Sequence, residues 1–180
     1  MASHATFNAL TYIQHQITDD AKREALKALS QFASFIRKTS DDVELILRDS
    51  QKEHEMLQIY CTMEQWRFED RLTINIAQLP NNFPKNFITF TLVPFAEQII
   101  LLGLAVQQAI QLDFSFEQRQ NQLFTNVACN FLLDTNLIKN FNQEQINRYN
   151  LLLERIALLE NKYPIKMNLK QHAAQLIITI

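Results

Sequence analysis

The chain has 180 residues and a single glycine, where an ordinary globular sequence carries about 7% glycine, or roughly 12 to 13 at this length. That excludes a phosphate-cradling P-loop and a dinucleotide fingerprint, both of which need several glycines. A net charge of −2 and a pI of 6.1 argue against nucleic acid or an anionic membrane as partner, while a hydrophobic content of 47% supports a core for one domain or two small ones.

The first 70 residues read as helical. Phe7, Leu10, Ile13 and Ile17 recur at helical spacing behind Ser3. Thr18-Asp19-Asp20 signals the start of a second helix carrying Ala25, Leu26, Leu29, Phe32, Ala33, Phe35 and Ile36. Thr39-Ser40-Asp41-Asp42 is expected to break it. A third helix is expected to carry Leu45, Leu47, Met56, Leu57, Ile59, Tyr60 and Met63 and to end near Phe68.

The period then changes. Arg71–Leu79 alternates, with Leu72, Ile74 and Ile76 on one face, and predicts a strand. Pro80 to Pro84 predicts a turn. Phe87–Leu104 reads as an apolar helix or a strand-to-helix segment; Pro94, Glu97 and Gln98 interrupt it, so a transmembrane helix is not expected. Ile110, Leu112, Phe114 and Phe116 alternate, Glu117–Asn121 turns, and Leu123–Phe131 runs back as a hairpin. Asn142–Tyr163 is a strongly amphipathic pattern stopped by Pro164, and Ile165–Leu169 with Ala174–Ile180 predicts a second hairpin. The expected fold class is α+β: a helical hairpin with a third helix, then an α/β sandwich with helices on one face of a mixed sheet. The boundary is expected near Phe68–Arg71, giving regions 1–70 and 71–180.

Cys61 and Cys129 are far apart and lack a paired spacing, so buried reduced thiols are expected. His4 and His15 share a helix face, but eleven residues is too wide for a metal pair; no metal site is expected. Trp66 is expected to pack between the two parts. No hydrolytic constellation and no signal peptide are legible.

Three segments resemble the LytS/YehU-type sensor histidine kinases. That family opens its catalytic module with N-P-H-F-x-F-N-A-L-N-x-I; residues 2–13 read ASHATFNALTYI, matching at His4, Phe7, Asn8, Ala9, Leu10 and Ile13, with Ala2-Ser3 in place of Asn-Pro. Its third helix ends in E-x-x-R-F-x-D-R-L-x-x-x-I, matched at Glu64, Arg67, Phe68, Asp70, Arg71, Leu72 and Ile76. Its L-x-P-L-V-E-N-A-I-K-H-G is matched at Leu92, Pro94, Glu97, Ile100 and Gly103 of LVPFAEQIILLG.

The resemblance implies a histidine kinase module: a dimerisation and phosphotransfer hairpin followed by an ATPase-like (GHKL/HATPase, Bergerat) domain. It implies His4 as phospho-acceptor, since a neutral imidazole is nucleophilic near neutral pH. Asn8, one helical turn later, would support the phosphohistidine or a water. Glu97 and Gln98 fall on the family's Glu-Asn pair, but a glutamine carbonyl is one methylene too long for the Mg²⁺ geometry. Leu101 and Leu102 replace a polar pair facing the phosphates. Gly103 would end the former nucleotide-binding helix. Where the family has Asp-Asn-Gly-x-Gly, the chain has Cys129-Asn130-Phe131-Leu132-Leu133-Asp134, and Asp134 reads as a turn or cap residue.

The expected protein is therefore a degenerate, pseudokinase-like module without an ATP cofactor. It would act in the cytoplasm as a histidine phosphotransferase toward a response-regulator receiver domain, and as a homodimer through residues 3–38. The alternatives are a non-catalytic dimeric regulator that binds a kinase or response regulator, and an atypical autokinase.

Overall fold

The computed structural model describes residues 2–41, 46–133 and 165–179. Between 134 and 164 it describes only Gln143, Ile146, Asn147, Asn150, Leu153, Glu154, Ala157 and Leu158, all helical. Side chains are described from Thr6 onward, Asp41 excepted. The reading of Asp134 and most of the amphipathic pattern at 142–163 lie outside these residues.

The described elements run α1 (Ala2–Thr18), α2 (Lys22–Asp41), β1 (Leu47–Asp49), α3 (Ser50–Phe68), a 3-10 turn (Glu69–Arg71), β2 (Leu72–Ile76), β3 (Asn86–Ile88), α4 (Leu92–Val106), β4 (Ile110–Arg119), β5 (Gln122–Cys129), β6 (Ile165–Lys170) and β7 (Ala173–Thr179). The class is α+β. Two compact units result, Met1–Asp70 with Lys85–Phe90, and Arg71–Pro84 with Thr91–Ile180.

In the first unit α1 and α2 form a hairpin. Asp20 takes the left-handed turn between them (φ 58°), a conformation aspartate tolerates better than most residues. Amides of Asp19 and Ala21 close the last α1 carbonyls at 2.9 and 2.8 Å. The two helices pack on each other and on α3, burying small and apolar side chains, among them Ala9, Ile13, Ala25, Ala28 and Phe35. Thr39 and Ser40 do not break α2. Their hydroxyls donate back to the Phe35 and Ile36 carbonyls, so the polar run is absorbed into a last helical turn.

The third helix starts later than its apolar spacing suggests. Leu47 belongs to β1, and Asp49 caps α3 by accepting from the Gln51 amide at 2.7 Å. β1 pairs antiparallel with β3 (Leu47↔Ile88, Arg48↔Phe87, Asp49↔Asn86), which is why residues 85–90 fall with the helices. A three-residue strand is too short to leave a periodic signal. Glu69, at φ 49°, ends α3 and donates its amide to the Gln65 carbonyl. Trp66 stacks on Tyr12 of α1, centroids 5.3 Å apart and planes 11° apart, so its packing partner lies within the helical unit.

The second unit holds a five-stranded sheet in the order β2-β4-β5-β7-β6, with β2 and β4 parallel and every other pair antiparallel. Two hairpins account for β4–β5 and β6–β7. The first turns more tightly than expected, at Gln120 (φ 51°) and Asn121, because β4 continues to Arg119. Leu112, Phe114, Leu123, Val127, Leu176 and Ile178 bury one face. The other face carries polar pairs, with Asn75 donating to Asp113 and Gln175 to Asn126, both at 2.6 Å, beside Phe124 and Ile177. That alternation is the period-2 signature of a half-buried sheet. Segment 87–104 resolves as strand-to-helix, β3 into α4. Pro94 is tolerated in the first turn of α4, where backbone amides have no helical acceptor.

Candidate functional site

Two places carry the residues singled out by sequence. The first is the N-terminal half of α1. His4 lies in its first turn, and Asn8, one turn on, is half-buried. Phe7 and Leu10 beside them are exposed, whereas Ala9 and Ile13 face inward. α1 therefore turns Ala9 and Ile13 to its own unit and leaves a second apolar row outward. His15, further along, pairs Nδ1 with Asp19 Oδ2 at 2.9 Å on the exposed surface.

α4 is the second. Glu97 is half-buried, and Gln98 is only 1% exposed, its Oε1 without a hydrogen-bond partner. Leu102 is fully buried and Leu101 partly so. Gly103 does not end the helix, which continues to Val106. Its conformation is ordinary, since no glycine has positive φ. A different physical reason selects glycine here: a Cβ would lie 2.6 Å from the Phe131 ring and 2.9 Å from Cδ1 of Ile110. The helix is pressed against an aromatic ring at its one residue without a side chain.

Phe131 is held in that place. Its carbonyl accepts from the Cys129 thiol at 3.4 Å and lies 3.0 Å from His172 Nδ1. The Cys129 amide donates to the His172 carbonyl and the Leu133 amide to the Gln171 carbonyl, at 2.9 and 2.8 Å. Burial pushes the Cys129 thiol above its ordinary pKa, against the opposing pull of its bond to Phe131. Burial raises Cys61 further, with the Glu64 carboxylate adding to it. Both cysteines are free and buried. Neither is poised as a nucleophile, because the thiolate is the reactive form.

Sequence reasoning missed Phe131 as a determinant of the α4 surface. It also missed a buried cluster of Arg48, Glu53 and Phe90 in the helical unit. The available signal for the cluster was Glu53 and His54 together on a helix stripe with Met56, Leu57 and Tyr60. Among the described residues, no group of three or more His, Cys, Asp or Glu is placed to hold a metal ion. Among them, too, no helix is long and apolar enough to cross a membrane.

The family model for histidine kinases matches residues 1–72, the segment that holds α1, α2 and α3. The likeness to histidine kinases is thus carried by this N-terminal part of the chain. Among solved structures it is similar to the Acinetobacter baumannii histidine kinase AdeS, at 14% identity and TM-score 0.48 over 98% of this chain and 96% of that one. It is similar to the catalytic domain of histidine kinase ThkA, at 8% identity and TM-score 0.48 over 74% and 92%, and to a bacterial phosphotransferase, at 13% identity and TM-score 0.43 over 97% and 87%. No curated protein matches the sequence.

Proposed function

We propose that the chain is a degenerate histidine kinase module that carries a phosphoryl group on His4 without binding ATP. Residues 1–70 would be the dimerisation and phosphotransfer region and residues 71–180 the former ATPase-like domain. The observation that carries the reading is the contrast between the two places. The histidine kinase match covers α1 with His4 and Asn8, while the α4 surface is filled from within by Phe131 against Gly103.

Several features support the absence of ATP. Gln98 is sealed from solvent, and a hydrated Mg²⁺ needs accessible oxygen ligands. Leu101 and Leu102 offer no donors for phosphate oxygens. Glu97, Gln98 and Gly103 would then be remnants, with Glu97 a supporting carboxylate.

The transfer would run as follows. A neutral His4 imidazole nitrogen attacks the phosphorus of a receiver aspartyl phosphate. A P–N bond forms, the P–O bond to the aspartate breaks, and the carboxylate leaves with its electron pair. The reverse step passes the group to a second receiver aspartate. Asn8 would orient the phosphohistidine or its water. Two copies would pair α1 and α2 through residues 3–38, as supported by the outward row of Phe7, Leu10, Ile17, Leu26 and Leu29, with Phe7 and Leu26 68% and 67% exposed.

Incubating the full chain with a phosphorylated receiver domain tests the carrier role. Acid-labile label is expected on the wild type and absent from His4→Ala. Label that persists on His4→Ala, or none on the wild type, overturns it, and in the latter case a non-catalytic dimeric regulator is left. A Mg-ATP analogue is expected not to bind; measurable affinity would instead favour an autokinase.

A further inference from the structure

The most deeply buried charges in the helical unit take no part in this transfer. Arg48 of β1 and Glu53 of α3 are 1% and 0% exposed, with Nε 2.6 Å from Oε2. The same carboxylate oxygen accepts the Phe90 amide at 3.1 Å. Arg48 also donates from Nη2 to the Lys52 carbonyl at 3.2 Å, and its guanidinium lies over the Phe90 ring, 5.1 Å from the centroid.

Phe90 is the strained member. Its φ is 56°, a left-handed conformation that a bulky non-glycine residue holds only where its surroundings impose it. Its amide donates to the carboxylate of Glu53. Glu53 stands in the first turn of α3, where free amides and the helix dipole favour a negative charge. Bonds on either side keep the register: the Ser50 amide to the Lys85 carbonyl at 2.7 Å, and the Thr89 amide to the Ile46 carbonyl at 3.0 Å. One residue after Phe90, the Thr91 carbonyl accepts the Phe95 amide at 3.2 Å and opens α4.

We propose that Arg48, Glu53 and Phe90 form a latch that sets where α4 begins. The carboxylate holds Phe90 in its left-handed turn, and Arg48 holds the carboxylate. When the carboxylate lets go, Phe90 relaxes to negative φ and the first turn of α4 frays. A displacement of β1 is thereby passed along the backbone to α4. The latch thereby bears on the first turn of the helix that carries Glu97, Gln98 and Gly103. It stands whether or not His4 carries phosphate.

Hydrogen exchange on the full chain tests it, comparing peptides that cover residues 86–95, 22–41 and 110–129. Glu53→Gln keeps an acceptor but removes the charge. It is expected to speed exchange in 86–95 by about tenfold, the loss associated with one hydrogen bond to a charged group, with the other two peptides at wild-type rates. Equal acceleration in all three peptides, or none in 86–95, overturns the latch. A second variant covers the chance that a lone buried Arg48 unfolds the chain. Arg48→Met with Glu53→Leu deletes both charges, a replacement that folds commonly tolerate, yet leaves the Phe90 amide without its acceptor. Fast exchange confined to 86–95 supports the latch; wild-type exchange there reduces the pair to packing and sinks it.

Discussion

Gly103 and Phe131 occupy one volume, and each explains the other. A Cβ at Gly103 would overlap a ring that hydrogen bonds around Cys129 and His172 hold in place. Gly103→Ala should therefore cost about 1–3 kcal/mol in urea unfolding, the range for overpacking a filled core, although alanine is the better helix former. Phe131→Ala should also destabilise, by about 3–5 kcal/mol. In the double variant the new methyl enters the space the ring leaves, so the combined loss should fall short of the sum. A strictly additive double variant would refute the contact.

Cys61 makes a second prediction at the residue scale. Its folded pKa is raised above the ordinary value of 9.0, first by burial and then by Glu64. The folded state thus binds the thiol proton more tightly than the unfolded chain does. The resulting stability is complete below the unfolded pKa and is lost as pH rises above it toward the folded value. Unfolding midpoints should fall between about pH 8 and about pH 10, and Cys61→Ala should flatten that fall. Native Cys61 should also resist alkylation until the protein is unfolded.

At the scale of elements, α3 depends on its ends. Asp49 both closes β1 and caps α3, so Asp49→Ala should cost about 0.5–2 kcal/mol by chemical denaturation. The Tyr12–Trp66 stack joins α1 to the other end of α3. Burial, followed by the Glu69 and Glu24 carboxylates, raises the Tyr12 hydroxyl above its ordinary pKa. Trp66 is the one tryptophan, so its emission reports this joint. Tyr12→Ala should shift that emission to the red and remove about 0.5–1.5 kcal/mol beyond lost area. An unchanged spectrum would mean that the two rings do not stack in solution.

These elements show what a sequence can and cannot carry. The C-terminal ends of α1 and α3, the β4–β5 and β6–β7 hairpins and the change of period at Arg71 were legible, because each is written in spacing within one segment. β1 and β3 were not, being three residues each and stabilised by one another. The polar run at Thr39-Ser40 read as a break because the same hydroxyls that favour turns can also bond back onto a helix.

For the whole molecule, the apolar row on α1 and α2 has consequences for assembly. Phe7, Ile17 and Leu26 are exposed on the hairpin, more than a solvated pair of helices needs. If two copies pair there, Leu26→Glu should convert the protein to monomers in light scattering while leaving the sheet's circular dichroism intact. A wild type that is monomeric at high concentration would remove the bundle from the proposal.

The sequence by itself determined the helical character of the first part, the two hairpins of the sheet, the α+β class and the histidine kinase-like character of the first segment. Periodicity, turn chemistry and motif spacing are all local properties of the chain. Tertiary structure alone decided why the single glycine is a glycine, where α4 begins and which side chains carry strain. Gly103 answers to the ring of Phe131, and Phe90 answers to a carboxylate 37 residues earlier. Neither pairing leaves a trace in spacing, because the free energy of a close contact depends on residues that only folding brings together.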